Sequence, residues 1–135
     1  MMKLIIGKKG SGKTKTLIDM VNSALDMTKG DVVCIEKGDK LKFDIRYQCR
    51  LIDAEQYSIN DGQSLYGFIA GILASNHDVT DLFIDSALKI CENDVAEFDK
   101  FLQEVDALLK NYTVNCVMTS SIAVEDATET MMKYL

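Results

Sequence analysis

Apolar residues along the chain follow three rhythms, and the changes between them mark out the elements. Short continuous apolar runs predict buried strands at Met2-Lys3-Leu4-Ile5-Ile6, Asp31-Val32-Val33-Cys34-Ile35-Glu36, Thr80 to Ser86 and Thr113 to Met118. Spacings of three and four predict helices between them. Leu17, Met20, Val21, Ala24, Leu25 and Thr28 share one helical face, which ends near Lys29-Gly30, where glycine suits a left-handed C-cap. Leu65, Phe68, Ile69, Ile72 and Leu73 follow the capping sequence Asn60-Asp61-Gly62-Gln63 and stop near Asn76-His77. Phe98, Phe101, Leu102, Val105, Leu108 and Leu109 follow Asp94-Val95-Ala96-Glu97, which resembles a capping box. Val124, Ala127, Thr128, Met131 and Leu135 predict a short terminal helix.

The third rhythm is strict alternation. Leu41, Phe43, Ile45, Tyr47, Cys49 and Leu51 alternate with Lys42, Asp44, Arg46, Gln48 and Arg50, after a turn at Lys37-Gly38-Asp39-Lys40. This predicts half-buried antiparallel structure, a hairpin or an edge excursion with its polar side in water, or equally an edge that takes a partner. The whole pattern predicts an α/β three-layer sandwich with a mainly parallel sheet, one domain over residues 1–135. Ligand is then expected beyond the carboxyl ends of the strands, where Gly7, Glu36, Asp85 and Ser120 fall.

Chemistry enters at the first strand-to-helix junction. Gly7-Lys8-Lys9-Gly10-Ser11-Gly12-Lys13-Thr14 matches the phosphate-binding pattern G-x-x-x-x-G-K-[ST], with the strand before it and helix after it that the pattern requires. The glycines let backbone N–H groups converge on a β-phosphate at the positive end of the helix. Lys13 would reach the β- and γ-phosphates, the Thr14 hydroxyl would ligate Mg²⁺, and Lys8, Lys9 and Lys15 add positive field. Downstream, Thr80-Asp81-Leu82-Phe83-Ile84-Asp85-Ser86 is a strand ending in a carboxylate. Asp85 would hold Mg²⁺ directly or through water, the alternative being a cap on the following segment.

Composition narrows the field. With 135 residues there is little room for a separate substrate domain. The net charge is −6, and positive charge clusters at the loop and does not spread along a face, which disfavours non-specific nucleic-acid binding. Cys34, Cys49, Cys91 and Cys116 lack C-x-x-C spacing and read as reduced core residues, not metal ligands. No apolar run approaches the roughly 20 residues of a membrane span, and the N-terminus enters a strand at once, so a cytoplasmic protein without a membrane partner is expected. His77, the only histidine, reads as a cap or solvated residue.

From Met2 to about Ser121 the chain resembles the RecA-like branch of P-loop ATPases. The loop is common to all P-loop proteins. Asp81-Leu82-Phe83-Ile84-Asp85-Ser86 resembles the RecA-type Mg²⁺ strand, in which serine follows the aspartate, and Thr119 to Ser121 resemble the position of a γ-phosphate sensor. Glu36 ends the second strand, near where that family carries a water-activating glutamate, although it equally begins the Lys37-Gly38 turn. The resemblance implies ATP and Mg²⁺ as ligands, with Lys13, Glu36, Asp85 and Ser120 in chemical roles. It carries no DNA role, since the family's later strands and DNA-holding loops have no counterpart.

Arg46 and Arg50 are the only arginines, and from the alternating stretch they would act as fingers only across an oligomer or on a partner. Thr28-Lys29-Gly30-Asp31 is the sole [NT]-K-x-D match and lies at the first helix's end, so a GTPase is not expected. The expected function is a Mg-ATP-binding protein with slow or partner-stimulated ATPase activity, the partner or second copy using the 41–52 region. The alternatives are a non-hydrolysing nucleotide-dependent switch and a nucleoside kinase, the latter lacking an arginine-rich lid. Tyr47 and Tyr57 are candidates for stacking on adenine or for packing.

Overall fold

The computed structural model describes residues Met1–Leu135. Five strands, β1 (Met2–Gly7), β2 (Asp31–Glu36), β3 (Arg50–Asp53), β4 (Val79–Ile84) and β5 (Asn115–Ser121), form one sheet in the order β1-β5-β4-β2-β3. Every pairing within it is parallel. The helices are α1 (Lys13–Met27), α2 (Gly62–Ser75), α3 (Ala87–Ile90), α4 (Val95–Leu109) and α5 (Glu129–Met132).

Period-two alternation within the strands divides the apolar residues between two cores. Val33, Ile35, Leu82, Ile84, Cys116 and Met118 pack with residues of α2, α3, α4 and α5. Val32, Cys34, Phe83 and Val117 point the other way, onto Leu17 and Val21 of α1. Both faces of the sheet are therefore covered, as continuous apolar strands require. No helix is long and apolar enough to cross a membrane.

The helix starts follow their caps. Asp61 and Ser64 form a reciprocal capping box on α2. At α4 only half of the box forms. Asp94 accepts from Glu97 N–H, but the Glu97 carboxylate accepts from Gly62 N–H at 2.8 Å and so ties the starts of α4 and α2 together.

The alternating stretch is not a hairpin, and the sheet has no antiparallel strand. Leu41, Ile45 and Cys49 are buried, whereas Phe43 and Tyr47 are 89% and 91% exposed. Burial thus recurs every fourth residue, a spacing that an alternating sequence also contains. Residues 41–49 run as successive turns against α1, where Asn22 donates to Asp44 O at 3.0 Å and accepts from Arg46 N–H at 3.1 Å. Arg46 pairs with Asp26 at 2.7 Å. Only Arg50–Asp53 becomes strand, parallel to β2.

Gly30 does not adopt a left-handed C-cap. Helix α1 ends at Met27 with an extended cap at Thr28, and Gly30 is outside the positive-φ glycines. Its missing side chain answers to space instead, because a Cβ there would collide with the Thr80 side chain and the Asp78 carbonyl. The terminal helix is limited to Glu129–Met132, and His77 is exposed just beyond α2. β1 lies at the sheet's outer edge, where Leu4 N–H donates to Tyr134 O at 2.7 Å.

Candidate functional site

The loop after β1 is shaped by its glycines. Gly10 and Gly12 have φ of 84° and 88°, a region that costs a residue with a Cβ about 1–2 kcal/mol. Ser11 N–H donates to Lys8 O at 3.1 Å, closing the loop's turn. Gly12 precedes α1 without a side-chain cap, so the helix begins with its N–H groups toward the loop. Lys13 is only 9% exposed, and its Nζ donates to Lys8 O at 2.9 Å.

Strand order brings the second part of the site alongside. β5 lies between β1 and β4, and Asp85 follows β4 directly. The Thr14 hydroxyl lies 3.2 Å and 3.4 Å from the Asp85 carboxylate oxygens, joining residues 71 apart in sequence. Thr119 Oγ1 donates to Asp85 Oδ1 at 2.7 Å and accepts from Ser86 N–H at 2.8 Å. Ser86 holds a left-handed φ of 59°, so the chain turns sharply from the carboxylate into α3. Asp85 is thus surrounded by hydroxyls and fixed by them, not paired with a basic side chain.

Ser120 is not brought to the site. Alternation along β5 turns it to the opposite face, where it is fully buried and its hydroxyl accepts from Leu88 N–H at 3.2 Å. Its neighbours Thr119 and Ser121 line the cleft instead. The polar ending of β5 was visible in sequence, and which of its hydroxyls faces the ligand side follows from register.

Glu36 does line the cleft, and it also holds the turn that follows it. Oε1 accepts from Lys40 N–H at 3.0 Å and Oε2 from Leu41 N–H at 3.3 Å. The turn is pinned from a second side by Asp53, which accepts from Gly38 N–H at 2.9 Å. Burial raises the Glu36 pKa above its ordinary value of 4.5; the Leu41 and Lys40 N–H groups oppose the shift, while Asp85 and Asp53 add to it.

These parts enclose a cleft of about 640 Å³ whose lining has a single apolar residue, Leu41. Lys9, Gly10, Gly12, Lys13, Thr14 and Lys15 line it from the loop side, together with Glu36 and Asp85. Gly7, Lys8 and Ser11 belong to the loop but not to the lining. Lys37 and Lys40, on the turn after β2, and Lys89 and Asn93, on and after α3, also line it. The position of Lys89 and Asn93 was hidden, because α3 has only four residues and no periodicity to read. Arg46, Arg50, Tyr47 and Tyr57 are not among the lining residues.

The cysteines stand apart from this chemistry. All four are free and buried, and burial pushes Cys49 up to about 11 and Cys91 and Cys116 up to about 12, with Cys34 also well above its ordinary value. No group of three or more His, Cys, Asp or Glu side chains gathers to hold a metal ion. A cation at Thr14 and Asp85 would therefore need ligand oxygens and water to complete its shell, the arrangement Mg²⁺ adopts with phosphates. No family model and no curated protein matches the chain.

Proposed function

We propose that this chain binds ATP with Mg²⁺ at the Gly7–Thr14 loop and hydrolyses it slowly, alone or with a partner's stimulation, in the manner of RecA-like P-loop ATPases. The observation that carries the reading is the approach of the Thr14 hydroxyl to the Asp85 carboxylate at 3.2 Å, beside a loop of left-handed glycines. That pair supplies a hydroxyl and one carboxylate, the small protein share typical of a Mg²⁺ site built on phosphates. When bound, Mg²⁺ would neutralise charge on the β- and γ-phosphate oxygens.

In this reading the loop N–H groups and Lys13 bind the phosphates, and Thr119 orients Asp85 through its 2.7 Å bond. Each Glu36 oxygen has room for a second hydrogen bond beyond its backbone one, so the carboxylate can accept from water in the cleft. Its raised pKa makes it a stronger base. The sensor role moves from Ser120 to Thr119 or Ser121.

The clamp that Glu36 makes on residues 40 and 41 favours a second reading, a nucleotide-dependent switch without hydrolysis. The turn would then pass the state of the cleft to the exposed Phe43 and Tyr47, a surface suited to a protein partner. Turnover of Mg-ATP by the purified chain, against a Lys13→Ala control, tests the enzyme claim. Equal rates reject it. Glu36→Gln should slow turnover about 10²-fold with Mg-ATP binding within a few-fold; binding without turnover in the parent selects the switch.

A further inference from the structure

The cleft holds more positive charge than the loop reading uses. Lys37 and Lys40 sit on the turn after β2, and Lys89 sits on α3 after β4. None of the three takes part in an ion pair, since the chain's pairs are Lys15–Asp19, Lys42–Asp39 and Arg46–Asp26. Neither of the cleft's two carboxylates lies within ion-pair distance of them. Both Glu36 oxygens accept backbone N–H bonds, and Asp85 is bonded by the Thr14 and Thr119 hydroxyls. In a chain of net charge −6, these lysines line one recess, where their fields add.

Position separates Lys37 and Lys40 from the loop. The strand order puts the end of β2 three inter-strand steps from the end of β1, about 14 Å at ordinary sheet spacing. The turn itself is preorganised, because Glu36 holds the N–H groups of residues 40 and 41 while Asp53 holds that of Gly38. A fixed turn whose two unpaired lysines line a polar cleft offers an anion two cationic partners.

We propose that Lys37 and Lys40 form a second phosphate-group subsite, on the β2 side of the cleft and separate from the Gly7–Thr14 loop. For what occupies the loop, this rests on the nucleotide reading. The group received is the phosphate of a separate small molecule, because the nucleotide's own β- and γ-phosphates lie together at the loop. Glu36 acts here as a positioning residue, through the backbone of the turn and not by contact with the anion.

Calorimetry on the full chain tests it, comparing the parent with Lys37→Ala/Lys40→Ala. Mg-ADP affinity should stay within about threefold in the double variant, because the loop is untouched. A loss of about tenfold or more in Mg-ATP affinity would put these lysines on the nucleotide's own terminal phosphate and overturn a separate subsite. A similar loss for inorganic phosphate, titrated into protein saturated with Mg²⁺ and a non-hydrolysable ATP analogue, identifies a separate molecule. Lys37→Arg/Lys40→Arg should restore the phosphate affinity. The proposal is also overturned if the phosphate affinity matches the parent, or if Mg-ADP weakens as much as Mg-ATP. Should the parent bind no nucleotide, the loop reading falls on its own. Inorganic phosphate binding to Lys13→Ala, lost when Lys37 and Lys40 are also replaced, would then keep the subsite, and no binding would remove it.

Discussion

The two sides of the cleft are built by different means. The loop side is made of backbone, its shape set by left-handed Gly10 and Gly12 and by the junction of β1 with α1. The β2 side is a turn with little conformation of its own, held by two acidic side chains that reach its N–H groups from Glu36 and Asp53. The first kind of wall depends on which residues lack a Cβ. The second depends on ionisation, so one cleft combines a pH-indifferent wall with a pH-sensitive one.

The largest test of that contrast is Lys13→Ala. Removing one partner of a desolvated charge pair should lower ATP affinity by about 2–4 kcal/mol in calorimetry. The fold should survive, and the β2 side should keep its turn. Unchanged affinity would break the assignment of the loop side altogether.

Asp85→Asn comes next. The amide keeps the shape but removes the negative charge, so Mg-dependent ATP binding should weaken about tenfold or more, with little change in EDTA. Equal effects in both conditions would make Asp85 structural. Gly12→Ala should destabilise the chain by about 1–2 kcal/mol in denaturant unfolding, because φ of 88° suits only glycine. A neutral result would show that the loop side relaxes more readily than its backbone implies.

The smallest effect is one of slope. Glu36 has a raised folded-state pKa, so the folded chain holds its proton where the unfolded chain has lost it. The parent's stability relative to Glu36→Gln should therefore fall as pH rises from about the ordinary carboxyl value of 4.5 upward, until Glu36 is ionised in the folded state as well. Parallel stability curves for the two proteins would remove the pH-sensitive wall from the comparison.

Legibility in the sequence followed the same division. The loop side was readable because its chemistry is local, eight contiguous residues between a strand and a helix, and Asp85 was readable as a carboxylate ending an apolar run. The β2 side was not. Whether Glu36 serves water or a turn depends on where residues 40 and 41 place their N–H groups. Residues 41–51 misled for a related reason: alternate apolar positions satisfy a strand, yet Leu41, Ile45 and Cys49 anchor a run of turns while Phe43 and Tyr47 stay in water. Ser120 was displaced by one residue of register, enough in a strand to send it to the other core.

The buried thiols give this molecule a built-in set of clocks. Cys34 lies in β2, Cys49 in the turns over α1, Cys91 just after α3 and Cys116 in β5, so four parts of the fold each carry one shielded reporter. Their elevated pKa values keep them unreactive while the fold is closed, and alkylation at each then proceeds only through transient opening of its own neighbourhood. Labelling rates at these four positions would thus time how often each region breathes, without any probe having to be introduced.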